Sequence, residues 1–228
     1  MNASPSNNGE ARPRILILCG SPRRDGNSRR MADAAAEGAA AAGCHVRLEH
    51  VDDHVSAFLR DCRTCRDAEG RCTIGDGFET LLRDAILPAD GIVFATPLYW
   101  YGVSGQLKTC LDRLFCYIAA SHPDADAIAP RLMHKRLGVL ISSEETYPAA
   151  IHGIVHQFQE YARYTRGQLV DVVRGIGNQR GDVTVDPADP LAHSRRLGET
   201  LLDAHHADYR LDSDRAGSVW NGVSPGPT

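Results

Sequence analysis

Short runs that are apolar at almost every position alternate along the chain with longer stretches whose apolar residues recur every three or four places. Ile15–Cys19, Gly91–Ala95 and Leu137–Ile141 are unbroken apolar runs, the pattern of strands buried on both faces. His45–Val51 and Leu169–Val173 read as two further strands. Between and after them lie helical patterns. Arg29–Ala42 is alanine-rich and stops near Gly43; Phe78–Leu87 follows; Ser104–Tyr117 opens a stretch with Leu107, Leu111, Leu114 and Ile118 at helical spacing; Pro148–Tyr164 and Leu191–His205 complete the set. Asp124 and Asp126 fall in a stretch read as a loop after the third helix. Five strands with helices between them predict a single doubly wound α/β domain with a parallel sheet covered on both faces. Right-handed connections then put any ligand outside the carboxyl ends of the strands, at the switch point.

Composition narrows the function classes. The chain has 228 residues, 43% of them apolar and 24% charged, with a net charge of -4, which suits one soluble domain with a sizeable core. The mild negative charge argues against a nucleic-acid partner. No apolar run approaches the roughly 20 residues needed to span a bilayer, so no membrane partner is expected. Residues 1–13 are polar and lack the apolar centre of a secretory leader; they read as a disordered extension ahead of a domain over 14–210, and 211–228 reads as a flexible tail. Seven cysteines without a leader imply reduced thiols and a cytoplasmic location.

Two loops carry candidate chemistry. "LCGSPRRDGNSRR" runs from the end of the first strand into the first helix. A helix N-terminus offers unpaired N–H groups and partial positive charge; Ser21, Asn27 and Ser28 add polar donors, and Arg23 or Arg24 can add charge-assisted bonds. Together they describe a phosphate cradle. The stretch has neither the Gly-Lys-Ser/Thr of a Walker loop nor G-x-G-x-x-G, so one phosphate, as in a mononucleotide, fits better than a pyrophosphate. A plain helix start with Ser28 as its N-cap is the alternative. The second loop, "ATPLYWYGVSGQLKTCLDRL", leaves the Gly91–Ala95 strand at the ligand position. Its Tyr99, Trp100 and Tyr101 offer a stacking surface for a flat ring.

"GSPRRDGNS", "CRTC", "GRCTIGD" and "ADGIVFATPLYWYGVSGQLKTCLDR", in this order, resemble the NAD(P)H-dependent FMN reductase branch of the flavodoxin-like flavoproteins, which includes iron-sulfur flavoproteins and multimeric quinone reductases. The resemblance implies a flavodoxin-like sheet of strand order 2-1-3-4-5. It implies that Ser21, Arg23, Asn27 and Ser28 hold the FMN phosphate, and that Pro97, Leu98, Tyr99 and Trp100 hold the ribityl chain and ring. A third loop, "SSEET", adds Ser142 and Ser143 at the ring edge, where relatives often have glycines. The implied activity passes hydride from NADH or NADPH through FMN to a quinone, a flavin or another small acceptor, with no catalytic side chain, in a homodimer or homotetramer. The alternatives are a flavodoxin-type electron carrier, against which the mild charge speaks, an iron-sulfur flavoprotein, and a mononucleotide-binding regulator without flavin.

The cysteines qualify this picture. Cys62, Cys65 and Cys72 share one loop. Iron-sulfur flavoproteins carry a fourth cysteine three residues before the pair; Leu59 stands there and cannot ligate, whereas four-iron clusters want four thiolates. His50 or His54 has no recognised spacing for completing a zinc site. The expectation is three reduced thiols and no metal, with a redox role for Cys62 and Cys65 left open. His152 and His156, four apart on a helix, read as its solvent face. Asp112 and Arg113 are expected to pair or to support a subunit contact.

Overall fold

The structure, a computed structural model, describes residues 12–60 and 64–203. Most of the predicted N-terminal extension, the C-terminal tail with Trp220, His205, His206 and Cys62 lie outside the described residues.

Five strands, β1 (Arg14–Cys19), β2 (His45–His50), β3 (Gly91–Pro97), β4 (Arg136–Ser143) and β5 (Gln168–Ile176), form one sheet in the order β2-β1-β3-β4-β5. All four pairings are parallel, so the expected flavodoxin-like architecture is the one observed. The reversal of strand order falls between β1 and β3, whose carboxyl ends register as Cys19 with Ala95. Every residue of β3 is buried, and β4 is buried from Leu137 onwards. This accounts for their uninterrupted apolar sequences: a strand covered by helices on both faces has no polar side to show.

Helices α1 (Asn27–Ala41) and α6 (Pro190–Thr200) cover one face, packing on Ile15, Ile17, Val93 and Leu140. They approach backbone to backbone: a Cβ on Gly38 would fall 1.9 Å from the Arg195 carbonyl oxygen, and one on Gly198 would fall 2.0 Å from that of Ala35. The other face holds α2 (Phe78–Leu81), α3 (Gly105–Ile118), α4 (Ala125–Leu132) and α5 (His152–Tyr164), packed on Leu16, Leu18, Phe94 and Val139. Among the described residues, no helix is long and apolar enough to cross a membrane.

One expectation is corrected and another is refined. The segment after α3 is not a loop: Asp124 precedes α4, and Ala125, Ile128, Ala129 and Leu132 are its buried stripe. Pro130 masks this short helix in the sequence, because proline inside a helix normally reads as a breaker. The predicted helix over 78–87 is one α-turn followed by a π-turn over Leu82–Ile86, and Phe78, Leu81, Leu82, Ala85 and Ile86 are its buried residues.

Candidate functional site at the carboxyl edge of the sheet

Three loops leave β1, β3 and β4 side by side and are joined by hydrogen bonds. The Gly20 N–H donates to the Ala95 carbonyl at 2.8 Å, and the Ser104 hydroxyl donates to the Gly20 carbonyl at 2.7 Å. Gly20 is required by this closeness, since a Cβ there would lie 2.7 Å from both Leu107 Cβ and Ser104 Oγ. The Leu98 N–H donates to the Ser142 carbonyl at 2.8 Å, and the hydroxyls of Ser28 and Ser142 share a bond of 2.7 Å. The first loop thus touches the second at Gly20 and the third at Ser28.

In the first loop, Gly26 is the N-cap of α1, and no side chain caps the helix. The N–H groups of its first turn have no partner within the helix, and a helix start of this kind is suited to an anion. Ser28 is not the N-cap; it lies inside the helix and is buried against Ser142. Ser21 is 4% exposed, and its hydroxyl oxygen accepts from the Arg23 N–H at 3.2 Å. The Arg23 side chain is exposed. Arg24 turns away to a fork with Asp53, at 2.7 Å from each guanidinium nitrogen. Asn27 is also directed elsewhere: its amide donates to the carbonyls of Gly177 and Gln179, at 3.2 and 2.9 Å, and accepts from the Gly181 N–H at 2.8 Å. Asn27 therefore fixes the 177–181 loop by its side chain and offers the cradle only its backbone.

His50, at the end of β2, holds this loop from beneath. Burial, with the Arg24 charge next, keeps its imidazole below the usual histidine pKa. As a neutral ring it accepts from Arg29 at Nε2 (2.7 Å) and donates from Nδ1 to the Ser21 carbonyl (3.3 Å). In the sequence His50 looked only like a weak metal-ligand option.

The second loop presents its aromatics to solvent. Tyr99 and Gly102 exchange backbone bonds of 3.0 Å in both directions, and the residues between them, Trp100 and Tyr101, have φ of 48° and 60°. A two-residue turn of this kind ordinarily carries Asn-Gly. Bulky residues in the left-handed region are strained, a condition concentrated at ligand clamps. Trp100 is 97% exposed, Tyr99 43% and Tyr101 50%. Pro97 is buried as the last residue of β3, and Leu98 is half-buried. The Tyr101 hydroxyl bonds that of Tyr147, which raises the Tyr147 pKa to about 12 and ties the second loop to the third.

In the third loop, Ser142 and Ser143 are both buried. The Ser143 hydroxyl donates to the Glu145 carbonyl at 3.1 Å and accepts from Arg174 Nε at 3.3 Å. Arg174, on β5, also donates to the carbonyls of Glu145 and Tyr147. No local sequence signal marked Arg174. Of the remaining expectations, His152 and His156 are exposed on α5. Arg113 does not pair with Asp112; it is fully buried and bonds Asp76 at 2.8 and 3.1 Å, while Asp112 pairs with Lys108.

The donor set fits a flavin mononucleotide at this edge: an uncapped helix start with a buried hydroxyl and an exposed arginine for one phosphate, and exposed aromatics on the adjoining loop for a ring. The family described as NADPH-dependent FMN reductase matches residues 13–165. The iron-sulfur flavoprotein of Archaeoglobus fulgidus is 33% identical over 202 residues, covering 86% of this chain and 81% of that protein. A Bacillus subtilis protein provisionally named as an NAD(P)H-dependent FMN-containing oxidoreductase is 26% identical over 194 residues, covering 81% of this chain and 96% of that one. The solved NAD(P)H:quinone oxidoreductase from Methanothermobacter marburgensis shares the fold, with a TM-score of 0.58 at 19% identity, covering 86% of this chain and 99% of that chain.

Proposed function

The chain belongs to the NADPH-dependent FMN reductase family, and from that premise we propose that it oxidises NADH or NADPH and reduces a quinone, a free flavin or another small acceptor at the carboxyl edge of its sheet. FMN, when bound, supplies the hydride and electron chemistry itself. The residues of the chain bind and orient. In this reading Ser21, Arg23 and the first-turn N–H groups of Asn27 and Ser28 hold the phosphate. Pro97, Leu98, Tyr99 and Trp100 hold the ribityl chain and ring, and Ser142 and Ser143 shape the ring edge. His50 and Arg174 are positioning residues, the first setting the Ser21 carbonyl and the second bracing residues 143–147.

The observation that carries this reading is the bonded rim of three loops, from Ser104–Gly20 through Ser28–Ser142 to Leu98–Ser142. It supports reading the first loop as a phosphate cradle and the second as an aromatic surface on one edge at the switch point, where α/β sheets bind ligands. An enzyme rather than an electron carrier is favoured by the near-complete exposure of Trp100, which leaves room for a flat acceptor against the loop. A homodimer or homotetramer is part of the reading and is supported by the exposed Phe115 on α3.

Titration with FMN and FAD, followed by flavin fluorescence, tests the site. FMN binds more tightly than FAD, and Ser21→Ala combined with Arg23→Ala weakens FMN by about 2–5 kcal/mol through loss of two or three polar bonds. Unchanged affinity in that double variant removes the first loop from the site. Steady-state oxidation of NADH and NADPH against quinones, nitroaromatics, azo dyes and free flavins then identifies the acceptor. FMN binding without turnover on any of them supports the electron carrier instead.

A further inference from the structure

A second cluster of reactive side chains lies away from the rim. The Sγ atoms of Cys65, Cys72 and Cys116 all lie within 4.8 Å of one another, and Cys65 and Cys116 are 3.8 Å apart. Cys65 and Cys72 stand at the open ends of a small hairpin. It is closed by an antiparallel bridge between Arg66 and Cys72 and by a turn in which the Gly70 N–H donates to the Asp67 carbonyl at 3.0 Å. Thr73 fastens the open end, with its N–H and hydroxyl both donating to the Cys65 carbonyl, at 2.8 and 3.0 Å. Cys116 comes from the last turn of α3, 44 residues beyond Cys72 in the chain. The sequence expectation of no metal weighed Cys62, Cys65 and Cys72 and lacked this thiol.

The name of the Archaeoglobus relative raises the question of an iron-sulfur cluster, and the described donors do not fit one. Leu59, at the position where iron-sulfur flavoproteins carry a cysteine, packs against the hydrophobic core. A four-iron cluster also seats each thiolate on its own iron, spreading the sulfurs well beyond the edge of a single tetrahedron. Thiolates sharing one zinc ion at about 2.3 Å define tetrahedral edges of about 3.8 Å. The Cys65–Cys116 separation is 3.8 Å.

We infer that Cys65, Cys72 and Cys116 form a three-thiolate site for a single thiophilic divalent ion of the zinc type, which fastens the 65–73 hairpin to α3. Binding exchanges three thiol protons for one dication, so the centre carries one net negative charge, with water or a further donor in the fourth position. Arg113 Nη2 already points at Cys72 Sγ from 3.9 Å and faces the charge that forms. Cys65 and Cys116 are buried and Cys72 is half-buried, which leaves an entry on the Cys72 side. Cys116 lies twelve residues along α3 from Ser104, about 18 Å by the rise of a helix. The ion is therefore structural, neither touching the flavin site nor changing oxidation state.

The test uses the full-length protein, reduced and prepared without oxygen, incubated with Zn2+ or Co2+ and desalted. About one zinc per chain is expected, and Co2+ should give thiolate charge-transfer absorption together with d–d bands to the red of the flavin spectrum. Cys65→Ser, Cys72→Ser and Cys116→Ser should each weaken Zn2+ by more than about tenfold, whereas Cys44→Ser should bind like the wild type. Zn2+ should raise the melting temperature of the wild type and not that of the Cys116→Ser variant. Cys72→Ser, at the half-buried position, keeps the test decisive if a buried variant fails to fold. Zinc-replete protein that holds no zinc, full zinc retention in Cys116→Ser, four irons with acid-labile sulfide, or a Cys65–Cys116 disulfide in the reduced preparation each overturns the inference. None of these readouts depends on flavin or turnover.

Discussion

Trp100→Gly should make the flavin-free protein more stable and the flavin complex weaker. Trp100 sits at φ 48° and is 97% exposed, so it bears left-handed strain without recovering it in packing. For an L-residue that conformation costs roughly 1–2 kcal/mol. Glycine removes the cost but gains about 0.5–1 kcal/mol of unfolded-state entropy. The net gain is at most about 1.5 kcal/mol, or up to about 6 °C in melting temperature for a domain of this size. Loss of an aromatic stack of about 0.5–1.5 kcal/mol should weaken FMN by about 2- to 12-fold. Urea denaturation of apoprotein and fluorescence titration of FMN measure the two arms separately. An apoprotein destabilised by about 1 kcal/mol would show that Trp100 is packed, and unchanged FMN affinity would take it out of the ring site. The two signs must be opposite, because the strain is held in the absence of ligand and the stack exists only in its presence.

The other predictions concern charged side chains. Asp76→Asn should destabilise by about 3–5 kcal/mol in urea, because Arg113 is 0% exposed and would lose its counter-charge. Asp112→Asn, which breaks an exposed pair with Lys108, should cost less than about 1 kcal/mol. Lys135 is buried, with its ammonium on the carbonyls of Leu87 and Ala89, and burial lowers its pKa from 10.5 to about 8. Between those values the unfolded chain binds more protons than the folded one, so stability should rise from pH 8 to 10.5, by at most about 3 kcal/mol; a wild-type curve and a Lys135→Met curve with the same slope there would refute this.

What the sequence disclosed depends on how local each cause is. The sheet was legible because β3 and β4 are buried on both faces, which writes continuous apolar runs into the chain. The positions of the three loops followed from the topology rule, since a parallel sheet sends every strand's carboxyl end to one edge. The directions of side chains within those loops did not follow. Asn27 has the composition of a phosphate ligand, yet its amide is taken up by backbone more than 150 residues away. Ser143 is held by Arg174 on the neighbouring strand. His50 serves a loop 29 residues before it, because β2 lies beside β1. Cys116 sits among the buried residues of α3, where a thiol is indistinguishable in pattern from any small apolar residue. Such partners are chosen by strand order and helix placement, which act only after the chain has folded. Local pattern therefore pointed to the edge proposed for the chemistry, while the residues that brace that edge became visible only through contacts between elements distant in sequence.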